Sequence, residues 1–290
     1  MLIDWVTVRV PLERLSPAAR EVVRLIGDRI QRFCPRTGTV VYEIGAWESV
    51  RSDTHQVVCR AGVDLWIQGS PARVIGDACT VFGAGASAAL DLIGCVKRMV
   101  SFISCMYGVE LPDLSEWIVT KVDVTENFCL SDLVQVKEAL TVLRGTEGGR
   151  YKVSSQEGDS VYWSQRSKLR KAKAYAKGPH LRYLMKHKKY DGRRYSDEEI
   201  LLANRLIRLE LTLGREWFER IGNWQAIPPA RLESEWESYF GRMLGDAEIS
   251  DMARDIEEII KAAATTDGEG KSAYLCWLVI SERGWVQAQS

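Results

Sequence analysis

Three short segments of this 290-residue chain place a polar side chain at every second position, and no other feature narrows the possible folds as far. In Lys121-Val122-Asp123-Val124-Thr125 the polar groups alternate with valines. In Lys171-Ala172-Lys173-Ala174-Tyr175-Ala176-Lys177, three alanines separate three lysines and a tyrosine. In Arg208-Leu209-Glu210-Leu211-Thr212, leucines stand between the polar residues. Successive side chains of a strand project to opposite faces, so each segment is expected to turn its small or apolar residues to a core. If the three pair in one sheet, Asp123, Tyr175, Lys177, Arg208 and Glu210 converge on a single polar face.

That inventory suits phosphodiester chemistry. Two carboxylates can hold a hard divalent cation such as Mg2+ or Mn2+, which prefers oxygen ligands and polarises a phosphoryl oxygen. A tyrosine hydroxyl can attack phosphorus and form a covalent phosphotyrosine. An ordinary phenol pKa of about 10 leaves little phenolate at neutral pH, so Lys173, Lys177 or the metal has to favour the ionised form. Lysine-alanine alternation is also the pattern of a solvated face, and Arg-x-Glu that of a surface ion pair. Spacing alone leaves both readings open.

Charge distribution separates them further. The 39 basic and 39 acidic residues cancel, which taken as an average argues against nucleic acid. The average hides a segment: residues 166 to 194 hold twelve lysines and arginines against one acid, Asp191. Tyr162, Trp163, Tyr175, Tyr183, Tyr190 and Tyr195 are interleaved with these bases or flank them, as on a surface that follows phosphates and stacks bases. Arg166, Lys168, Arg170, Lys171 and Lys173 are the expected nucleic-acid contacts. The acidic tail would limit binding elsewhere.

Other classes fall away. The apolar stretch from Ala84 to Val109 is broken by Asp91, Lys97 and Arg98, short of the roughly 18 uncharged residues a membrane span needs. Met1-Leu2-Ile3-Asp4-Trp5 alternates like a strand and has no signal-peptide pattern, so a cytoplasmic location is expected. Seven cysteines without a C-x-x-C pair fit reduced, mostly buried thiols. Gly268-Glu269-Gly270-Lys271-Ser272 ends like a phosphate loop but follows a helical stretch, and reads as a turn between helices.

Along the chain, strands are expected over Ile3–Val10, Val40–Ile44, Gln56–Ile67, Ile118–Thr125 and within Tyr151–Trp163. Helical spacing covers Ser16–Phe33, Ala86–Tyr107 and Ser131–Leu143, and Ser196 with Glu199 matches a capping box. Leu206–Leu213 can be read as helix or strand. Asn223 and Pro228-Pro229 mark a boundary, with an acidic helical C-terminal region over 223–290 and a catalytic domain over 1–222. The fold class is α+β, a central, mainly antiparallel sheet flanked by helices.

These residues carry a family resemblance. Val122-Asp123-Val124-Thr125, then Val161-Tyr162-Trp163-Ser164, then Ala174-Tyr175-Ala176-Lys177, then Leu206-Ile207-Arg208-Leu209-Glu210 resemble, in this order, the gene II family of filamentous-phage replication initiators. Upstream, Trp66-Ile67-Gln68-Gly69-Ser70-Pro71-Ala72-Arg73 and Val81-Phe82-Gly83 resemble another segment of that family. The family's Gln-Gly-His-Asn is here Asp77-Ala78-Cys79-Thr80, so no role is carried over for that histidine.

The resemblance implies a rolling-circle initiator. Such a protein binds a double-stranded origin, nicks one strand by tyrosine attack, stays on the 5′ phosphate and later rejoins the displaced single strand. Host helicase and polymerase would be its partners, and no membrane is involved. Tyr175 falls on the nucleophile and Lys177 on its companion lysine. Asp123 and Glu210 fall on acidic positions assigned to the metal, Arg208 on a phosphate contact, and His180 is a candidate third metal ligand. A non-catalytic, origin-binding regulator on the same scaffold is the alternative, and a module that binds single-stranded RNA is a third reading.

Overall fold

The computed structural model describes residues 1–52, 55–71, 90–145, 153–155, 159–187 and 194–244. The three alternating segments lie side by side in the middle of a nine-stranded sheet. Its strands are β1 (Leu2–Pro11), β4 (Glu48–Ser52), β5 (His55–Ala61), β6 (Asp64–Gly69), β7 (Ile118–Cys129), β8 (Val153–Ser155), β9 (Ser160–Trp163), β10 (Arg170–Ala176) and β11 (Leu206–Leu213). The order is β4-β5-β6-β1-β7-β11-β10-β9-β8, and every neighbouring pair is antiparallel. A separate two-stranded hairpin joins β2 (Arg29–Phe33) to β3 (Val40–Gly45).

Alternation sorts the side chains as the sequence predicts. Val6, Val8 and Val10 of β1, Val122 and Val124 of β7, Leu209 and Leu211 of β11, and Ala172 and Ala174 of β10 are buried in one core. Helices α1 (Pro17–Arg24), α2 (Leu92–Tyr107) and α3 (Leu133–Gly145) add Val23, Met99, Ile103 and Leu140 to it. The alanines of β10 are small enough to let α3 lie close over that strand. Burying each larger aliphatic side chain stabilises the fold by about 1.5–3 kcal/mol.

Local signals set the helix ends. Ser16 accepts from the Ala19 amide at 3.2 Å, with Pro17 at the first helical position. Gly108, at φ 62°, closes α2 in the left-handed conformation that glycine adopts without strain. After helix α4 (Lys177–Lys186), helix α5 (Asp197–Asn204) begins with the full Ser196/Glu199 capping box. Helix α6 (Arg215–Ile221) follows β11 and buries Trp217 and Phe218.

The structure corrects several expectations. Helical spacing over Ser16–Phe33 ends at Arg24, and residues 29–33 form strand β2 in the exposed hairpin instead. Gln56–Ile67 is two strands, folded back at Gly62-Val63. Leu206–Leu213 is a strand, the one most enclosed by neighbours, with every residue buried. Residues 229–244, expected to belong to a separate C-terminal region, form helix α7 (Pro229–Leu244), whose Leu232, Trp236, Tyr239 and Phe240 enter the main core. Trp163 meets Phe240 edge-on at 6.3 Å, which ties α7 to β9. Residues 245–290, including the turn expected at Gly268–Ser272, lie outside the described residues, as do Ala72 to Thr80 and Val81-Phe82-Gly83. No helix among the described residues is long and apolar enough to cross a membrane.

Candidate active site

Register turns alternation into adjacency, because directly opposed residues of an antiparallel pair share a face. Tyr175 lies opposite Arg208, and Lys173 opposite Glu210. On the other side of β11, Arg208 lies opposite Asn127, Glu210 opposite Thr125, and Thr212 opposite Asp123. Asp123 in turn faces Trp5. Five residues singled out from the sequence, Asp123, Lys171, Lys173, Tyr175 and Glu210, therefore share one face with Arg208.

The face is polar yet largely enclosed. Asp123, Tyr175, Arg208 and Glu210 are each under 5% exposed. Buried charges persist only when paired, and here each is. Lys173 Nζ is 2.8 Å from Glu210. Asp123 takes Lys121 Nζ at 2.7 Å on one oxygen and the Thr212 hydroxyl at 2.7 Å on the other. Arg208 donates to Asn127 at 2.7 Å and to Asp4 at 3.1 Å, and it is hydrogen-bonded to the Tyr175 side chain.

Electrostatics follow from this packing. Burial pushes the Tyr175 phenol up to about 12, with Glu210 adding to the shift and Arg208 and Lys173 opposing it. Burial lifts Glu210 to about 7, and the nearby Asp123 and Asp4 carboxylates reinforce the shift against the pull of Lys173. Burial pulls Lys173 down, but Glu210 and Tyr175 more than reverse this and hold it protonated. His180 is pushed down to about 3 by burial and by the charges of Lys177, Lys173 and Arg208, so its imidazole is neutral.

Helix α4, directly after β10, carries the remaining pieces. Lys177 is buried at its first position. Gly178 follows because a Cβ there would stand 2.1 Å from Asn204 Oδ1 and 2.8 Å from the Asn204 amide, at the end of α5. His180, one turn on, brings its ring to 4.7 Å from that of Tyr175. Among the described residues no three histidine, cysteine, aspartate or glutamate side chains gather as a metal-sized cluster. His180 stands against the tyrosine ring, near the charges of Lys177, Lys173 and Arg208.

Not every expected DNA contact reaches this face. Arg170 occupies an even position, points to the helical side and pairs with Glu235 of α7 at 2.9 Å. Arg166 and Lys168 lie in the turn before β10, at the far end of that strand from Tyr175. Arg182 turns to Asn204, and Arg194 to the Met185 carbonyl. The basic run is therefore spread over several surfaces, with Lys171, Lys173 and Lys177 on the sheet face or at its edge.

Two contributors escaped the sequence reading. Asp4 reaches Arg208 because β1 carries a bulge between Ile3 and Trp5. The signal was present: counting back by twos from Val10, Val8 and Val6 puts an acid at a core position, which only a shift of register relieves. Asn127 continues the odd positions of β7 beyond Thr125, where the alternation had been followed no further.

The chain's class is that of replication-associated proteins. The match runs from the first residue of β1 into α7. The chain belongs to the family of the replication-associated gene II protein, whose N-terminal model matches residues 2–239. The resemblance to gene II initiators read from the four ordered segments is borne out. No curated protein matches the chain. Among solved structures, the rolling circle replication initiator protein from Geobacillus stearothermophilus is similar at 12% identity and a TM-score of 0.34, covering 81% of this chain and 83% of that one.

Proposed function

We propose that this protein starts rolling-circle replication by nicking one strand of a double-stranded phage origin through Tyr175 and later rejoining the displaced strand. The observation that carries the reading is the enclosure of one phenol between Arg208 and Lys173, with Asp123 and Glu210 beside it on the same sheet face. Family membership supports the replication role.

In this reading Tyr175 Oη attacks phosphorus, and the bond from phosphorus to the 3′ oxygen breaks. The 5′ phosphate stays on the tyrosine, and the departing oxygen takes a proton to become a 3′ hydroxyl. Arg208 fixes the phenol through its hydrogen bond and, held by Asn127 and Asp4, cannot swing away. Lys173, protonated beside the ring, offsets charge on the phenolate and on the phosphate oxygens. Neutral His180 packs on the ring and limits its rotation. The buried tyrosine is a weak acid in the free protein, and added positive charge beside it would favour the ionised form.

The acidic groups fit a hard cation. Glu210 holds a proton at unusually high pH because it is buried and other carboxylates crowd it, and a divalent ion relieves such crowding. Asp123 and Glu210 would hold Mg2+ or Mn2+, which supplies polarisation of a phosphoryl oxygen. Lys121 and Lys173 neutralise the same carboxylates otherwise.

Supercoiled origin DNA incubated with protein and Mg2+ or Mn2+ should give open circles and a protein–DNA adduct, both abolished by EDTA. Asp123→Asn and Glu210→Gln should lose nicking while keeping most DNA affinity. Adduct formation by Tyr175→Phe, or binding without nicking in the native protein, would sink the proposal, the second in favour of the non-catalytic regulator.

A further inference from the structure

The described residues contain five contacts between a cation and an aromatic ring, and register places four of them on the sheet face that carries Tyr175, with Trp47 at its edge completing the fifth. Lys173 lies 5.2 Å from the Tyr175 ring, Lys121 lies 6.0 Å from Trp5, and Arg9 lies 5.6 Å from Trp66. Arg60 sits between two indoles, 5.3 Å from Trp66 and 4.6 Å from Trp47. The shared face follows pair by pair: Trp5 opposes Asp123, Thr7 opposes both Lys121 and Gln68, Arg9 opposes Trp66, and Trp66 opposes Arg60.

These pairs form a diagonal. From Tyr175 on β10 to Trp66 on β6 is four strand spacings across the sheet and nine residues along β7, from Asn127 to Ile118. At about 4.8 Å per strand and 3.3 Å per residue this is about 35 Å, the length of about ten stacked nucleotides. The apolar core lies on the opposite face, so the rings are not packed beneath the main helices. Trp47 is 40% exposed, and Trp5, Trp66, Arg9 and Arg60 are half-buried.

We propose that this diagonal is a track for the single strand that leads from Tyr175, with bases stacking on Trp5, Trp66 and Trp47 and phosphates meeting Lys121, Arg9 and Arg60. The proposal rests on the nicking reading for its starting point. Two observations choose the occupant. The first is charge: Arg9 and Lys121 are balanced by Asp64 and Asp123, whereas among the described residues Arg60 is held by indoles rather than by a carboxylate, leaving its positive charge for a phosphate. The second is shape, because flat, half-buried rings on the face away from the apolar core offer stacking area that only unpaired bases can use.

The test uses the full chain, oligo(dT) of about twenty nucleotides, a span that exceeds the track, and a duplex of the same length. Trp47→Ala combined with Trp66→Leu should weaken single-strand binding by about tenfold or more, the loss of two stacking platforms, and weaken duplex binding far less. Arg60→Gln, which keeps both indoles, should lower the salt slope of single-strand binding by about one ion. A smaller loss in the folded double variant, an equal loss on duplex, or an unchanged salt slope overturns the track. Failure of the native protein to form any adduct would count against nicking alone, since the oligo(dT) comparison does not depend on cleavage.

Discussion

Arg208 and Asp4 allow the network behind Tyr175 to be measured. Arg208 is 2% exposed and divides its donors between Asn127 at 2.7 Å and Asp4 at 3.1 Å. Replacing it with methionine leaves Asp4 without its cation and near Glu210, another carboxylate. Breaking a buried ion pair costs about 3–5 kcal/mol. The Asp4 side chain is 31% exposed, so water screens part of its charge and the lower end, about 3 kcal/mol, applies. Asp4→Asn should cost less, about 1 kcal/mol, because Arg208 keeps Asn127 and Tyr175. The double variant should fall short of the sum by about 1–2 kcal/mol, the signature of direct coupling. In urea denaturation with a slope of about 2–3 kcal/mol per molar, Arg208→Met should move the midpoint by about 1 M. A shift below about 0.2 M, or additivity of the two changes within about 0.5 kcal/mol, would refute the pairing.

Further predictions concern the neighbouring elements. Gly178→Ala forces a methyl onto the Asn204 backbone, so it should cost about 1–3 kcal/mol in denaturation and slow adduct formation by shifting the start of α4, where Lys177 and His180 sit; unchanged stability would mean that α4 and α5 part easily. Cys34, in the turn of the β2–β3 hairpin, has its thiol pKa lowered by the Thr37 hydroxyl and by the Arg36 and Thr37 backbone. Its thiolate fraction at neutral pH therefore exceeds that of an ordinary cysteine, whereas burial pushes Cys59 and Cys95 up to about 11. Iodoacetamide at neutral pH should label Cys34 well before Cys59 or Cys95, and Thr37→Val should slow that labelling. Labelling in the reverse order would contradict the local geometry.

The centre of the sheet was legible because period-two alternation survives when one face is apolar and the other charged. Asp123, Lys173, Tyr175 and Glu210 could be placed on a common face before any register was known. Leu206–Leu213 was ambiguous for a physical reason: a strand enclosed on both faces hides its period, and Arg208 and Glu210 are as buried as the leucines between them. Helix α4 was missed because its lysines continue the basic run that dominates the composition. The direction of each base was not readable either, since Arg170 turns to Glu235 only because α7 packs behind β10, a contact 65 residues distant in sequence. Asp4 required a bulge, visible as an acid out of phase with the valines that follow it.

The central claim is that one phenol on this face becomes joined to DNA. The direct measurement is proteolysis of the trapped protein–DNA adduct, followed by mass spectrometry of the peptide that retains the 5′ nucleotide. The peptide containing Tyr175 should carry the nucleotide on that residue. Attachment to Tyr162, to any other residue, or to none would contradict the account.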